Sequence, residues 1–220
     1  VGAVTANLAK AKDTHAAARQ AKADLVLFPE LYICGYPPED LVLRRSFVTS
    51  CREAVEDLAR DTADGPAILI GLPWRDSQKL HNAVALLNNG KIETLRFKHD
   101  LPNYGVFDEK RVFDAGPAPG PISFKGVRLG VPICEDIWTE ESCETLAETG
   151  AEILLVPNGS PFEQNKDDTR LNLVVARVTE TGLPLAYLNQ VGGQDELVFD
   201  GASFVLNADR GLALQMPMFE

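Results

Sequence analysis

The stretch Gly130–Trp138 reads Gly-Val-Pro-Ile-Cys-Glu-Asp-Ile-Trp. Apolar residues occupy every second position from 127 to 133, which predicts a buried strand that ends where Cys134 enters a loop. The run Thr139–Ser142, with its two glutamates, predicts the first turn of a helix that reaches Glu148, and the positive end of a helix dipole favours a thiolate. Cys134 is therefore a candidate nucleophile, although many buried cysteines are inert parts of a core.

The composition is that of one acidic globular domain with ample material for a core. The chain has 220 residues, of which 45% are hydrophobic, a formal net charge of -11 and a pI near 4.8. Because no stretch concentrates lysine or arginine, neither nucleic acid nor an anionic membrane is expected as a partner. No apolar run approaches the ~18 residues of a membrane span, and no leader peptide is recognisable.

The cysteines show no spacing typical of a metal site. They include no Cys-x-x-Cys pair and no companion histidines at zinc-binding distances, so no metal is expected. Reduced thiols in a cytoplasmic protein are the simplest interpretation. The four are Cys34, Cys51, Cys134 and Cys143.

Strand and helix patterns alternate along the chain and predict an α/β fold with mixed sheets. Asn89-Gly90 is the strongest hairpin signal, and a second turn is expected at Gly192-Gly193. The Gly- and Pro-rich connection 102–121 is long enough to predict a functional loop. The predicted strands are 24–28, 67–72, 81–87, 91–98, 127–133, 151–156, 183–189, 202–207 and 212–216, and the predicted helices are 7–23, 46–63, 139–148 and 168–181.

Three chemically complementary residues, Glu30, Lys98 and Cys134, each stand at the end of a predicted strand. Strand ends are where open α/β sheets gather their chemistry. A carboxylate can accept and return the proton of a thiol, and an ammonium can stabilise an oxyanion. Each residue alone is more typical of a surface or a core, but together they predict acyl transfer at an amide.

The sequence resembles the carbon-nitrogen hydrolases of the nitrilase superfamily over nearly its whole length. Their Glu-Lys-Cys triad matches Phe28-Pro29-Glu30, Lys98–Pro102 and Ile133–Asp136. The resemblance implies a four-layer αββα sandwich of the nitrilase type with mixed sheets, usually assembled into a homo-oligomer. It also implies that Glu30 is the general base, Cys134 the nucleophile and Lys98 the cation that stabilises the oxyanion.

Longer motifs resemble, more narrowly, the glutaminase domains of glutamine-dependent NAD synthetases. These motifs are Gly35–Leu41, Leu101–Arg111 and Asn158–Phe162. The resemblance implies L-glutamine as the substrate and ammonia as a product that passes to a synthetase domain of the same polypeptide, for the amidation of deamido-NAD. It implies no cofactor for the hydrolysis, whereas ATP and magnesium belong to the synthetase domain, whose phosphate loop is absent from this sequence.

The same resemblance implies a pocket for the amino-acid head of glutamine. Glu109 corresponds to a supporting glutamate that can orient Lys98 and meet the α-ammonium, and Lys166 can pair with the α-carboxylate. Ordinary packing remains the alternative for the aromatic residues, as does a plain surface charge for Lys166. The further pocket residues that the resemblance implies are Tyr36, Tyr104, Glu135, Trp138 and Ser160. Of these, Glu135 is expected to act through its backbone N–H, which faces the oxyanion.

The resemblance also makes residues 1–220 one glutaminase domain of a longer protein. A strand is expected before Val1, and an ATP-using synthetase domain after Glu220. A stand-alone amidase or carbamoylase of the same superfamily remains open as an alternative function, and so does an interaction module that has kept the fold without the activity.

Overall fold

Two mixed β-sheets, a small hairpin sheet and five α-helices form the computed structural model, which describes all residues from Val1 to Glu220. The chain divides into two compact units. The first comprises Val1–Phe97 and Pro102–Ala115, and the second comprises Lys98–Leu101 and Gly116–Glu220. None of the helices combines the length and the apolar character needed to cross a membrane.

The first unit combines three α-helices with one sheet of four strands. Its elements are α1 Val4–Gln20, β1 Leu25–Leu27, α2 Arg45–Asp61, β2 Ala67–Asp76, β3 Lys79–Asn88, β4 Lys91–Phe97 and α3 Glu109–Val112, with 3-10 helices at Glu39–Leu43 and Thr62–Asp64. The strand order is β1-β2-β3-β4, in which β1 and β2 run parallel and the other pairs antiparallel.

Local sequence explains the regular elements of this unit. Asn89 and Gly90 both have positive φ, 52° and 79°, as the tight turn between β3 and β4 requires, which confirms the predicted hairpin. On α2, buried apolar residues recur at intervals of three and four and form one face of the helix. They are Val48, Cys51, Val55, Leu58 and Ala59.

Gly71 of β2 allows the loop after β1 to lie directly against the sheet. A Cβ atom at this position would lie 2.2 Å from the backbone nitrogen of Leu31 and 2.5 Å from the carbonyl oxygen of Pro29. The parallel register places Leu27 opposite Leu69, just before that loop. The backbone on both sides of Glu30 is therefore fixed against β2.

The second unit contains the six-stranded sheet. Its elements are β5 Ile122–Phe124, β6 Val127–Gly130, a 3-10 helix Cys134–Ile137, α4 Glu141–Glu148, β7 Ile153–Asn158, α5 Lys166–Thr181, β8 Leu185–Asn189, β9 Val191–Gln194, β10 Leu197–Asp200, β11 Phe204–Leu206 and β12 Leu212–Gln215. The strand order is β12-β11-β8-β7-β6-β5, with β6, β7 and β8 parallel and the outer pairs antiparallel, whereas β9 and β10 form a separate hairpin.

The core of the second unit lies between its sheet and its two helices. Apolar residues of β7, β8 and β11 meet those of α4 and α5. The principal buried members are Ile137, Cys143, Leu146, Leu154, Val156, Val174, Val178, Leu185, Tyr187, Phe204 and Leu206.

The strand before Cys134 is shorter than the alternating pattern predicts. β6 ends at Gly130, and Pro132, which has no N–H to donate to a neighbouring strand, lies beyond it. Val127 is 40% exposed although the pattern placed it inside. The helix that follows, α4, begins at Glu141, two residues later than the predicted first turn, and a 3-10 helix that starts at Cys134 itself precedes it.

Other boundaries differ in ways that matter less to the site. β4 ends at Phe97, so Lys98 stands one residue beyond the strand, and the long connection contains α3. The predicted turn at Gly192-Gly193 is wrong, because these glycines pair with β10 inside β9. Asp195, with φ of 51°, takes the turn instead.

Candidate active site

Glu30, Glu109 and Tyr36 belong to one hydrogen-bonded network in the first unit. The side-chain nitrogen of Asn82 donates to Glu30 Oε1 at 2.7 Å and to Glu109 Oε2 at 3.3 Å. The Tyr36 hydroxyl donates to Glu109 Oε1 at 3.0 Å. All four side chains are buried, and Glu30 is fully so. The structure thus brings together three residues that the sequence resemblance singled out, through a fourth that it did not.

Asn82 is a network residue that the sequence analysis missed. It lies on β3, opposite Pro73 of β2, between His81 and the buried apolar run that begins at Ala83. A polar side chain inside an apolar strand must find hydrogen-bond partners, and this was the signal available in the sequence. The pattern could not name the partners, because Glu30 is 52 positions away along the chain.

The short helix α3 presents Glu109 at its first position. Arg111, on the same helix, donates to Asp108 at 2.6 Å and also to Asp40. Its hydrogen bonds with Asp40 and Asp108 raise the pKa of Arg111 above its usual value. Exposed ion pairs of this kind add little stability, but they connect α3 with the 3-10 helix Glu39–Leu43.

Cys134 begins its 3-10 helix with a left-handed backbone, at a φ of 46°. Residues other than glycine rarely adopt this conformation, which costs about 1–3 kcal/mol. The surrounding structure buries the residue to 5% exposure. Strained turns of this kind concentrate at functional sites, which favours a nucleophile at Cys134 over an inert core cysteine.

Asp136 accepts hydrogen bonds from the backbone next to each of the second unit's two candidate catalytic residues. Its Oδ1 accepts from the N–H groups of His99 and Asp100, at 3.0 and 2.7 Å, just after Lys98. Its Oδ2 accepts from the N–H of Ile133 at 2.9 Å, just before Cys134. Burial raises the pKa of Asp136 to about 7, although the backbone donors and the Lys98 charge act in the opposite direction. One carboxylate therefore fixes the segments of Lys98 and Cys134 relative to each other.

We expect Asp136→Asn to change the pH dependence of stability. Because the pKa of Asp136 is higher in the folded state than the unfolded value near 3.9, the wild-type protein loses stability as the pH rises from about 4 to about 7. At low pH the variant should have a free energy of unfolding about 1–3 kcal/mol below that of the wild type. Because the variant lacks the pH-dependent loss, this deficit should be much smaller or absent at pH 8. Urea denaturation at pH 4.5 and pH 8 measures this, and an equal deficit at both would contradict it.

A buried arginine holds the loop that carries Ser160. Arg170 of α5 donates through Nη1 to both carboxylate oxygens of Asp200, at 2.9 and 2.7 Å. Its Nη2 donates to the carbonyl oxygens of Ser160 and Pro161, at 2.8 and 2.9 Å, and its Nε donates to Ser160 Oγ at 3.2 Å. Asn189 donates to the Ser160 carbonyl and accepts from the Ser160 N–H, both at 3.0 Å. The loop after β7 is therefore fixed by side chains that the sequence analysis had not singled out.

Tyr187 of β8 is a further neighbour of Cys134 and Ser160. Burial is the main cause that raises the pKa of Tyr187, and the charge of an ionised Cys134 acts in the same direction. A hydrogen bond with Ser160 acts in the opposite direction. The Tyr187 ring stacks on Phe204 with the ring centroids 5.1 Å apart.

The remaining predicted residues differ in their surroundings. Glu135 follows Cys134 in the same 3-10 helix and is half-buried, and Trp138 packs against the core of the second unit. Lys166 begins α5 and its Nζ donates to Glu163 at 2.5 Å, with the lysine side chain 10% exposed. Tyr104 is 53% exposed and meets Phe107 edge to face. Trp138 thus packs against the core, and Lys166 is largely buried and paired with Glu163.

Residues 2–219 match the model of the carbon-nitrogen hydrolase family. The chain belongs to this family, and the predicted resemblance to the nitrilase superfamily is confirmed. The match covers both units and every candidate residue described above.

Two curated relatives are both described as glutamine-dependent NAD(+) synthetase. The protein from Rhodobacter capsulatus is 49% identical over 220 residues, which are 100% of this chain and 40% of that protein. The one from Xanthomonas campestris is 47% identical over 212 residues, covering 95% of this chain and 38% of that protein. The chain thus spans less than half the length of these relatives.

Solved structures confirm the predicted α/β fold class. The glutamine-dependent NAD+ synthetase of Acinetobacter baumannii superimposes with a TM-score of 0.95 at 36% identity, covering 100% of this chain and 42% of that one. An amidase of the nitrilase superfamily from Nesterenkonia AN1 gives a TM-score of 0.86 at 28% identity, covering 100% of this chain and 82% of that one. In another structure of that amidase, the acetamide moiety of fluoroacetamide is covalently added at the active-site cysteine.

Proposed function

We propose that this chain is the glutaminase part of a glutamine-dependent NAD synthetase. The observation that carries the proposal is the 49% identity to the Rhodobacter capsulatus synthetase over every residue of the chain. A hydrolase of carbon-nitrogen bonds is the part of such an enzyme suited to release ammonia from the side-chain amide of glutamine. The cysteine adduct of the Nesterenkonia amidase supports a cysteine nucleophile, which we assign to Cys134.

The acylation step begins with glutamine bound so that its amide carbon faces Cys134. Glu30 takes the thiol proton while sulfur forms a bond to that carbon, and the carbonyl electron pair moves onto oxygen. Lys98 and the backbone N–H of Glu135 stabilise the oxyanion, and each such donor is worth about 3–4 kcal/mol in known oxyanion holes. When the carbonyl re-forms, the C–N bond breaks and Glu30 returns its proton to the departing nitrogen, which leaves as ammonia.

The deacylation step uses the same groups in reverse order. Glu30 takes a proton from water as the oxygen of that water bonds to the thioester carbon. The C–S bond then breaks, glutamate leaves, and Glu30 returns the proton to the Cys134 sulfur. The hydrolysis therefore balances without a metal or organic cofactor, and Asp136 holds the Lys98 and Cys134 segments throughout.

Recognition of the zwitterionic amino-acid head requires charges of both signs. We assign the α-ammonium to Glu109, whose Oε1 already accepts from Tyr36, and the α-carboxylate to Lys166. Because Lys166 is paired with Glu163, the substrate carboxylate must replace or share that partner. Ser160, Tyr104 and Trp138 complete the proposed pocket.

The ammonia would serve the ATP-dependent amidation of deamido-NAD in a synthetase domain of the same polypeptide. ATP and magnesium would act only there. The match covers 40% and 38% of the lengths of the two curated relatives, so more than half of each relative lies outside the matched region and is long enough to hold such a domain. We place the protein in the cytoplasm, where its four free cysteines stay reduced, and expect a homo-oligomer.

A stand-alone amidase is the second candidate function. The observation that favours it is the Nesterenkonia amidase, which superimposes on the whole of this chain with a TM-score of 0.86. The sequence identities favour the synthetase instead, because this chain is 36% identical to the Acinetobacter baumannii synthetase and 28% identical to the amidase. Substrate preference separates the two functions.

We expect glutamine to be hydrolysed far faster than simple aliphatic amides. An aliphatic amide such as propionamide lacks both charges that Glu109 and Lys166 would bind, so it forfeits two charge-assisted interactions. Two such interactions, at roughly 1.5–3 kcal/mol each, correspond to a kcat/KM ratio of about 100-fold or more. Ammonia release with each substrate measures the ratio, and equal rates would favour the amidase.

Lys166→Ala provides the matched variant for this comparison. It should raise KM for glutamine and leave the slow hydrolysis of propionamide unchanged. Lys125→Ala, at an exposed lysine between β5 and β6, is the control and should change neither. An equal loss with both substrates would remove Lys166 from the pocket.

A further inference from the structure

Asn82 is the point at which the two buried carboxylates of the first unit meet. The two N–H groups of its amide serve Glu30 Oε1 at 2.7 Å and Glu109 Oε2 at 3.3 Å. Asn82 itself is 1% exposed, so water does not reach these bonds from solvent. The donor is neutral, and it therefore connects two acids without adding a charge that would pair with either of them.

The orientation of this amide follows from its surroundings. An Asn Oδ1 turned toward the carboxylates would place acceptors against acceptors, so only Nδ2 can face them. The Oδ1 atom is consequently directed elsewhere, buried and without a hydrogen-bond partner. A buried carbonyl oxygen without a hydrogen-bond donor destabilises the folded state. The fold nevertheless retains it, because the same amide supplies the donor between Glu30 and Glu109.

We infer that Asn82 is a positioning residue that holds the general base Glu30 in register with Glu109, the acceptor for the substrate's α-ammonium. The inference rests on the proposed function. Asn82 thus fixes both the carboxylate that binds the amino-acid head, Glu109, and the carboxylate that transfers the proton, Glu30. The Tyr36 hydroxyl fixes the other oxygen of Glu109 and completes the chain of bonds.

The diagnostic variant is Asn82→Asp, which keeps the shape and replaces the donor by an acidic group. While the introduced carboxyl is protonated, its O–H can still donate to Glu30. As the pH rises, that proton is lost and the new carboxylate has no hydrogen left to donate to Glu30 or Glu109, so the network opens. The profile of kcat/KM for glutamine should therefore gain a descending limb toward alkaline pH beyond any that the wild-type protein shows, with a loss of about 100-fold relative to wild type at pH 8.

Two further variants separate positioning from a general effect on folding. Asn88→Asp is the matched control, because the half-buried Asn88 lies on the same strand and donates to a carboxylate, Glu93 Oε2 at 3.2 Å, through an exposed hydrogen bond. It should leave the rate and the pH profile within twofold of wild type. Asn82→Leu, which has no donor at any pH, should lower kcat/KM across the whole range without the new limb.

A double variant tests whether Asn82 acts through Glu30. Asn82→Leu should slow the wild-type protein about 100-fold but add little to the loss caused by Glu30→Gln, because the two residues work as one unit. Additive losses, or an Asn82→Asp profile parallel to that of wild type, would overturn the inference while leaving Glu30 as the base. If Glu30→Gln itself retained full activity, the proposed function would fail first.

Discussion

Cys134→Ala is expected to abolish NAD formation from glutamine and to leave NAD formation from ammonium salts largely intact. The proposed role of Cys134 is only to release ammonia, so ammonia supplied from outside should bypass it. The assay uses the full-length synthetase with ATP, magnesium and deamido-NAD, and compares glutamine with ammonium chloride as nitrogen source. Cys134→Ser should fare little better, because a hydroxyl is a far weaker acid than a thiol with an unperturbed pKa near 8.5.

The control for this experiment is Cys143→Ala in the same unit. Cys143 lies in the core between α4 and the sheet, and burial raises its pKa to about 12, so it has no role as a nucleophile. The variant should retain both activities. Loss of both activities in a folded Cys134→Ala protein would mean that Cys134 serves synthesis directly, and retention of both would remove it from catalysis.

Glu30→Gln should lower the rate of glutamine hydrolysis by at least ~100-fold, the usual cost of losing a general base. The substitution keeps the shape of the side chain, and its amide oxygen can still accept the hydrogen bond from Asn82. What it removes is the ability to take the proton from Cys134 and to deliver it to ammonia. Release of ammonia from glutamine by the purified variant measures the loss.

Glu93→Gln is the matched control for that variant. Glu93 also accepts hydrogen bonds from asparagine side chains, Asn88 and Asn89, but on the exposed hairpin of β3 and β4. It should keep wild-type turnover. Near-normal turnover of Glu30→Gln itself would contradict the assignment of the base.

Sequence patterns were informative where a local rule decides the structure. The Asn89-Gly90 turn, the β3-β4 hairpin and the strand before Glu30 follow from alternation and turn chemistry, and the structure agrees. The pattern failed before Cys134, where alternation continued past Gly130 although strand pairing did not. Alternation records which side chains are apolar, whereas pairing depends on partners elsewhere in the chain.

The supporting polar residues could not be predicted for a related reason. Asn82 meets Glu30 across 52 positions, Asp136 meets His99 across 37, and Arg170 meets Asp200 across 30. Periodicity identifies a polar residue within an apolar segment but carries no information about what it will contact. The motif Ile133–Asp136 predicts a nucleophile at Cys134 but no role for Asp136. Only the fold shows that Asp136 joins the Lys98 and Cys134 segments.

The most direct test of the central claim is covalent labelling with a thiol-reactive glutamine analogue, followed by peptide mass spectrometry. Glutamine should protect against the label, and Glu30→Gln should slow it. If Cys134 is the nucleophile of a glutaminase, one adduct forms, on Cys134, while Cys34, Cys51 and Cys143, all fully buried, stay unmodified. An unlabelled Cys134 in active protein, or labelling that glutamine does not slow, would contradict the account.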